Sequence, residues 1–328
     1  MTTALAAPID IRPLLIYYGV LAFAKATVLA RKQADISTLA QSHGVKDVSA
    51  GNSRVADLEC QLLAAGSFHE FSDVVGKLGR VEYYDHEGMR QHLNKPFDSV
   101  LPLAQVRVGL KDILSRVPGL GEIYRKTFSE RENHIPVEFR KSHDSDGADI
   151  RIDDPEIFEN RIGLIKIVER LRRDYTFLEN WRLVSAERAW GNSVLIFALA
   201  ETDPRDEFDE AVLTEREGRF SANPSNPAQV PNLESVIQPF AGGLIKTGAC
   251  AIRPLVGQHL SEYSMLFLGT FLLSSLVRYR PQTWQHALSR ASHAGEPADD
   301  RALSLIHKFL DVTIDSVPQL AVQMFRVK

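Results

Sequence analysis

The chain has 328 residues, of which 44% are hydrophobic and 24% charged, so it can form an apolar core in one large domain or several ordinary ones. Its formal net charge of −4 excludes a global basic field for holding a nucleic-acid backbone, so any such binding would need a local patch. The two distant cysteines, Cys60 and Cys250, exclude a disulfide framework and a CxxC metal site. They are expected to be buried thiols.

The first predicted element is a long apolar helix over residues 12–32. Pro13 suits the first turn of a helix, and the run after it is apolar nearly all round, so this helix should lie centrally in a helical core. Lys25 interrupts the apolar run and needs either a partner or a route to water. It is therefore either a structural lysine or a ligand-binding one.

Mixed elements are predicted in the middle of the chain. A polar loop should cover 37–52, with strands within 57–68 and 79–84 and a short helix over 110–117. Residues 141–149 read as a polar linker, and Asp153-Asp154-Pro155 has the composition of a helix start, for a helix reaching about 174. The strongest β pattern is a hairpin over 181–200, and a further strand is predicted within 244–254.

The C-terminal part is predicted to be helical, with helices over 259–279, 282–291 and 300–312. The most apolar run, residues 265–277, is shorter than the ~20 residues that a membrane span needs, so we expect a buried core helix. The first ten residues lack the basic start and long apolar core of a secretory signal. A soluble, cytoplasmic protein is therefore expected.

These elements predict a mainly α protein with a smaller β element, of the α+β class, with helices at both chain ends and a mixed α/β middle. We expect an N-terminal helical region with short strands over 1–140, and a mixed region with a β-hairpin over 141–258. A C-terminal helical region over 259–328 should pack with the N-terminal helix, because two strongly apolar helices both need cover.

Two blocks of sequence resemble the YaaC-like proteins. The first is Tyr17-Tyr18-Gly19-Val20-Leu21-Ala22-Phe23-Ala24-Lys25-Ala26, followed by Ser42-His43-Gly44. The second is Leu272-Leu273-Ser274-Ser275-Leu276-Val277-Arg278-Tyr279-Arg280-Pro281, with Trp284 after it. The resemblance implies a bacterial, intracellular protein, and it brings no catalytic residues with it.

A second pattern is the Arg–His spacing of the HEPN ribonucleases, in which a dimeric helical domain pairs an arginine with a histidine. The histidine can act as a general base or acid, and the arginine can stabilise charge on a phosphate. Four pairs have this spacing: Arg80–His86, Arg253–His259, Arg280–His286 and Arg301–His307. Arg280 and His286 are the preferred catalytic pair, because they follow the second block. Alternatively, Arg278 and Arg280 cap helix carbonyls while Trp284 packs.

A third constellation follows if the end helices pack together. Lys25 and His43 from the first block could then converge with Arg278 and Arg280 from the second block on an anionic ligand, such as a nucleotide or an RNA phosphate. The alternative is a structural salt-bridge network with Glu262 or another carboxylate.

The sequence lacks the common phosphate-loop, nucleophile-elbow, zinc-protease and dinucleotide motifs, and no metal or cofactor is expected. We expect an interaction component that responds to a nucleotide or to RNA, in a stress response or phage defence. It would act as a homo-oligomer or with a protein partner. The alternatives are a HEPN-like, metal-independent endoribonuclease acting as a dimer, and a non-catalytic scaffold.

Overall fold

The chain folds into two compact units. The computed structural model describes residues 2–51, 54–77, 80–85, 87–94, 105–141, 148–154, 161–189, 192–199, 213–216, 219–222, 241–243, 250–291 and 300–326. The helical unit comprises Met1–Leu78, Asp98–His134 and Leu255–Lys328, and the sheet unit comprises Gly79–Phe97 and Ile135–Pro254. The helical unit thus joins residues from both ends of the chain.

The described helices and strands are numbered in chain order through both units. The helices are α1 Thr2–Leu5, α2 Arg12–Lys32, α3 Ser67–Gly76, α4 Leu110–Ser115, α5 Gly121–Phe128, α6 Arg161–Asp174, α7 Glu262–Tyr279, α8 Pro281–Ala291 and α9 Asp300–Arg326. The strands are β1 Val45–Asp47, β2 Glu59–Leu62, β3 Arg80–Tyr84, β4 Arg90–Asn94, β5 Arg107–Gly109, β6 His134–Lys141, β7 Ala148–Asp154, β8 Trp181–Ala189, β9 Asn192–Leu199, β10 Leu213–Arg216, β11 Arg219–Ala222, β12 Ala241–Gly243 and β13 Cys250–Ile252. This mixture confirms the predicted α+β class.

Helix α7 is the centre of the helical unit. The Ser261 side chain caps its start by accepting a hydrogen bond from the backbone N–H of Ser264, and Pro281 follows directly on its C-cap residue, Arg280. Every residue from its start to Leu276 is buried, as an all-round apolar helix requires.

Helices α2 and α9 cover α7. The ring of Tyr17 on α2 meets the rings of Phe267 and Phe271 with centroids 5.9 and 5.7 Å away. Gly269 gives α9 close access, because a Cβ there would lie 2.5 Å from the Phe309 ring. The apolar helices α2 and α7 thus share one core. This core also contains Trp284 of α8, of which only 2% is exposed.

Helix α2 meets the length and composition of a membrane span more closely than the 265–277 run considered above. It is 21 residues long, and it is the described helix that is apolar enough by composition to cross a membrane. Core helices of soluble proteins meet the same description, and one face of α2 packs into the core of the helical unit.

The small sheet of the helical unit has the antiparallel order β1-β2-β5. Its register places Asp47 at the end of β1 opposite the buried Cys60 of β2. Both cysteines are buried, as predicted. Strand β1 lies inside the region expected to be a loop, and it carries Asp47 towards the C-terminal end of α7.

The sheet unit contains one large mixed sheet with the order β10-β11-β8-β9-β7-β6-β13-β12, and β3, paired with β4, joins at β6. The predicted hairpin is confirmed as β8 and β9, with a bulge between Leu183 and Ser185. One face of the sheet buries Ile150 and Phe197 in the same core as Leu164 and Val168 of α6. This alternation of strand residues is that of a sheet covered on one face.

Two local predictions were wrong. Asp153 and Asp154 do not cap a helix, because they end strand β7, and the described part of the following helix begins at Arg161. The predicted linker at 141–149 stays a prediction, because most of it lies between β6 and β7 outside the described residues. The last helix continues beyond residue 312 to Arg326 with Pro318 inside it, because its apolar face continues against the core.

Candidate functional site

The loop Ser42-His43-Gly44 is fixed by a close backbone crossing at the start of α3. The backbone N–H groups of Ser67 and Phe68 donate to the carbonyls of Ser42 and His43, each over 3.0 Å. Gly44 and Gly66 both have positive φ, and a Cβ on Gly66 would lie 2.2 Å from the backbone nitrogen of Gly44. Only glycine permits this contact, which positions His43 beside α2 and α7.

Tyr17 orients the His43 ring. The Tyr17 hydroxyl lies 2.8 Å from His43 Nδ1, and the centroid of the Phe271 ring lies 6.0 Å from that of the imidazole. Burial raises the pKa of Tyr17 well above its usual range, so the hydroxyl keeps its proton and can donate it to Nδ1. The neutral His43 ring then carries its own proton on Nε2, which is available to a ligand.

Arg278 lies among three tyrosine rings at the end of α7. Its guanidinium carbon is 6.0, 5.8 and 5.0 Å from the ring centroids of Tyr17, Tyr18 and Tyr279. Its Nη1 and Nη2 reach Tyr18 Oη and Ser274 Oγ only at 3.4 and 3.5 Å, and its Nε is buried without a hydrogen-bond partner. The guanidinium is therefore held by aromatic faces while its donors are poorly used.

The locus has an excess of positive charge. Burial lowers the pKa of His43, and the charges of Arg278 and Lys25 lower it further. Lys25 and Arg278 themselves form no ion pair with any carboxylate in the part of the chain that the structure describes. Of the four residues proposed from sequence, Lys25 and Arg278 are thus each close enough to His43 for their charges to act on it. We call these three residues, together with Tyr18 and Tyr279, the Arg278 site.

Arg280 has a different role from Arg278. Its Nη groups donate to the carbonyls of Ala50 and Ser49, the latter over 2.6 Å, and its Nε lies 3.5 Å from Asp47 Oδ2. Asp47 also accepts hydrogen bonds from the side chains of Ser49 and Ser275, each over 2.6 Å. Arg280 therefore ties the segment after β1 to the end of α7, and its donors are occupied.

Asp47 is held ionised by these neighbours. Burial alone would raise the pKa of its carboxyl group, but hydrogen bonds from Ser275 and Ser49 and the nearby charge of Arg280 lower it overall. The alternative of a salt-bridge network is thus realised at Arg280, with Asp47 as its carboxylate. Glu262 is instead fully buried in the first turn of α7 and forms no ion pair with Lys25 or Arg280 among the described contacts.

The preferred Arg280–His286 pair is not joined by a described contact. His286 is exposed on α8, whereas the Arg280 side chain contacts the 47–50 segment. The neighbouring Trp284 packs in the core and donates its indole N–H to the Asp10 carbonyl over 3.0 Å. An arginine with occupied donors is poorly placed to hold a phosphate, so these contacts give the ribonuclease hypothesis no support.

The other Arg–His pairs are placed as follows. His86 lies outside the described residues, and Arg253 forms an ion pair with Asp174 in the sheet unit while His259 belongs to the helical unit. Arg301 and His307 lie on α9. Among the described residues, no cluster of three histidine, cysteine or carboxylate side chains could hold a metal ion.

Sequence reasoning missed the tyrosines and Asp47. Tyr18 and Tyr279 flank Arg278 and lie on two helices that are far apart in the sequence. Their exposed fractions are 48% and 70%. The available signal was the pair of adjacent aromatics, Tyr17-Tyr18, and the Arg278-Tyr279-Arg280 run, in which ring and cation alternate. Asp47 lay in a segment whose polar composition indicated a loop.

Comparison with known proteins gives one match. The family model described as YaaC-like Protein matches residues 1–325. No curated protein and no solved structure matches the chain. The matched range includes both units and every residue of the Arg278 site.

Proposed function

The chain belongs to the YaaC-like family, and from that premise we propose that it is a nucleotide- or RNA-responsive binding component whose ligand phosphate binds at the Arg278 site. The observation that carries the proposal is the state of Arg278, a cation among tyrosine rings whose Nη groups form only long hydrogen bonds, at 3.4 and 3.5 Å. A bound anion would supply the missing acceptors.

Electrostatics supports an anionic ligand. The charges of Arg278 and Lys25 both disfavour a positive charge on His43, so two cations act on the same region without a described counter-charge, and their mutual repulsion costs free energy. An anion placed between them relieves this repulsion and accepts hydrogen bonds from Arg278 and His43 Nε2. The site thus favours an anion over a neutral ligand of the same shape.

Replacement of Arg278 should abolish most of the binding. We expect Arg278→Met to weaken nucleotide affinity about 10- to 100-fold, because hydrogen bonds to a charged group contribute about 1.5–3 kcal/mol. Isothermal titration calorimetry of the full chain with ATP and GTP, at low and high salt, measures this change. The matched control is Arg107→Met, since Arg107 is exposed on β5 and pairs only loosely with Glu59 at 3.8 Å.

Two results would contradict the proposal. An equal loss of nucleotide affinity in Arg278→Met and Arg107→Met would show that the effect of Arg278 does not depend on its position in the site. Absence of binding to nucleotides, to RNA and to simple anions would favour the non-catalytic scaffold. Incubating total RNA with the protein in EDTA tests the ribonuclease alternative, since cleavage lost in both Arg280→Ala and His286→Ala would support it.

Anion affinity should rise as the pH falls. The pKa of His43 lies below its ordinary value of 6.5, so the ring is neutral at about pH 7 and gains a third positive charge as the pH falls through the lowered pKa. Sulfate is the suitable probe, because its charge is constant between about pH 7 and pH 5. We expect the affinity for sulfate to rise as the pH falls through this lowered pKa, and His43→Gln should remove the rise. A gain that persists in His43→Gln would assign it to another group, such as the nearby His69.

A further inference from the structure

We infer that the ligand of the Arg278 site is a mononucleotide, with its base stacked on the exposed tyrosines and its phosphates facing Arg278, His43 and Lys25. The inference rests on the proposed function and narrows it from nucleotides and RNA to a single nucleotide. It follows from three features of the site: exposed rings at one end, a short row of cations and the absence of a longer basic track among the described residues.

The exposed rings lie at the Arg278 end of the site. Tyr279 is 70% exposed and Tyr18 48% exposed, although both rings contact the Arg278 guanidinium. Their remaining faces are open to solvent, in contrast to Tyr17, whose side chain is fully buried. A planar base stacks well on such a face, and a simple phosphate or sugar phosphate would leave both rings unused.

The site extends along one side of α2, from Tyr18 to Lys25. Tyr18 and Lys25 are seven residues apart, so they lie on the same side of the helix and about 10 Å apart along its axis. His43 contacts Tyr17, the neighbour of Tyr18, and the charges of Lys25 and Arg278 are close enough to lower its pKa. A base at the tyrosines and phosphates reaching towards Lys25 can span a site of this length.

The row does not continue as an RNA-binding track. The next cationic residue on this side of α2 is Lys32, which is the last residue of the helix. The formal net charge of −4 provides no wider basic field for successive phosphates. The observations therefore favour a ligand that ends within one nucleotide over a polynucleotide.

The test compares four ligands on the full chain by calorimetry: AMP, ADP, ribose 5-phosphate and a ten-nucleotide single-stranded RNA without terminal phosphates. We expect AMP or ADP to bind more tightly than ribose 5-phosphate. Tyr279→Leu should weaken the nucleotides at least about fivefold and leave ribose 5-phosphate unchanged, because only the base stacks on the ring. Tyr279→Phe should retain binding. Lys32→Gln, the control on the same side of α2, should have no effect.

The outcomes separate the inference from the proposed function. If the RNA binds more tightly than AMP and ADP and Lys32→Gln weakens it, the mononucleotide inference fails, while the Arg278 site survives as an RNA-binding site. If ribose 5-phosphate binds as tightly as AMP and Tyr279→Leu changes nothing, the inference fails but the anion site remains. If all four ligands fail to bind, both proposals fail.

Discussion

Gly66→Ala should lower the free energy of unfolding by more than about 3 kcal/mol, enough to unfold the helical unit in many conditions. Gly66 has φ +144°, in a region that side chains with a Cβ rarely adopt, and such strain costs about 1–3 kcal/mol. The added Cβ would also lie 2.2 Å from the backbone nitrogen of Gly44. Backbone atoms cannot move aside as a flexible side chain can, so the steric cost adds to the conformational one.

Urea denaturation followed by circular dichroism measures this loss. The control is Gly51→Ala, because nothing lies within 4 Å of a Cβ at Gly51, and its effect should remain within about 0.5 kcal/mol. If Gly66→Ala folds, it should still lose anion affinity, because the crossing positions His43. A stable variant with unchanged affinity would show that the crossing does not hold the loop.

Asp47→Ala should cost about 2–4 kcal/mol of unfolding free energy. The change removes the acceptor of Ser49 and Ser275 and the counter-charge of Arg280, and both Asp47 and Arg280 are only 16% exposed. Arg280 would keep its carbonyl partners at Ser49 and Ala50, so the loss should remain below that of a fully orphaned buried charge. Asp47→Asn should cost less, because an amide oxygen can still accept from Ser275.

The control for Asp47 is Asp57→Ala, which removes the exposed pair with Arg54 and should change stability by less than about 1 kcal/mol. The pH dependence follows from the lowered pKa of Asp47. Its stabilising contribution is fully present above the ordinary value of 3.8 and is lost as the pH falls through the lowered pKa. Equal unfolding midpoints for Asp47→Ala and wild type would show that the network contributes nothing.

Local sequence patterns predicted the elements with strong periodicity or punctuation. The two apolar end helices, the β8–β9 hairpin and the helix after Pro281 were all predicted correctly, because each is determined by residues close together in the chain. The predictions that were wrong concerned short segments whose residues suit two kinds of secondary structure. Asp153 and Asp154 resemble a helix cap in composition, yet pairing with β9 makes them strand residues.

The site was predictable in part for the same reason. The expectation for Lys25 and Arg278 depended on the packing of two long apolar helices, whereas His43 is placed by the backbone crossing of Gly44 and Gly66. The separation of Arg278 from Arg280 was not predictable, because it depends on Asp47, whose contact with Ser275 joins positions 228 residues apart. No local pattern identifies the partner in a contact of that range.

The shared core of α2 and α7 also determines the order of events during synthesis. About 250 residues separate Tyr17 from its partner Phe267, and the ribosome needs roughly 12–50 s to add them at ~5–20 residues per second. During that time α2 has been made, but α7, which packs against it, has not. The sheet unit, which is encoded between them, is complete before α7 appears. The sheet unit can therefore fold first, while the apolar helix α2 must be kept from aggregation until α7 has been made.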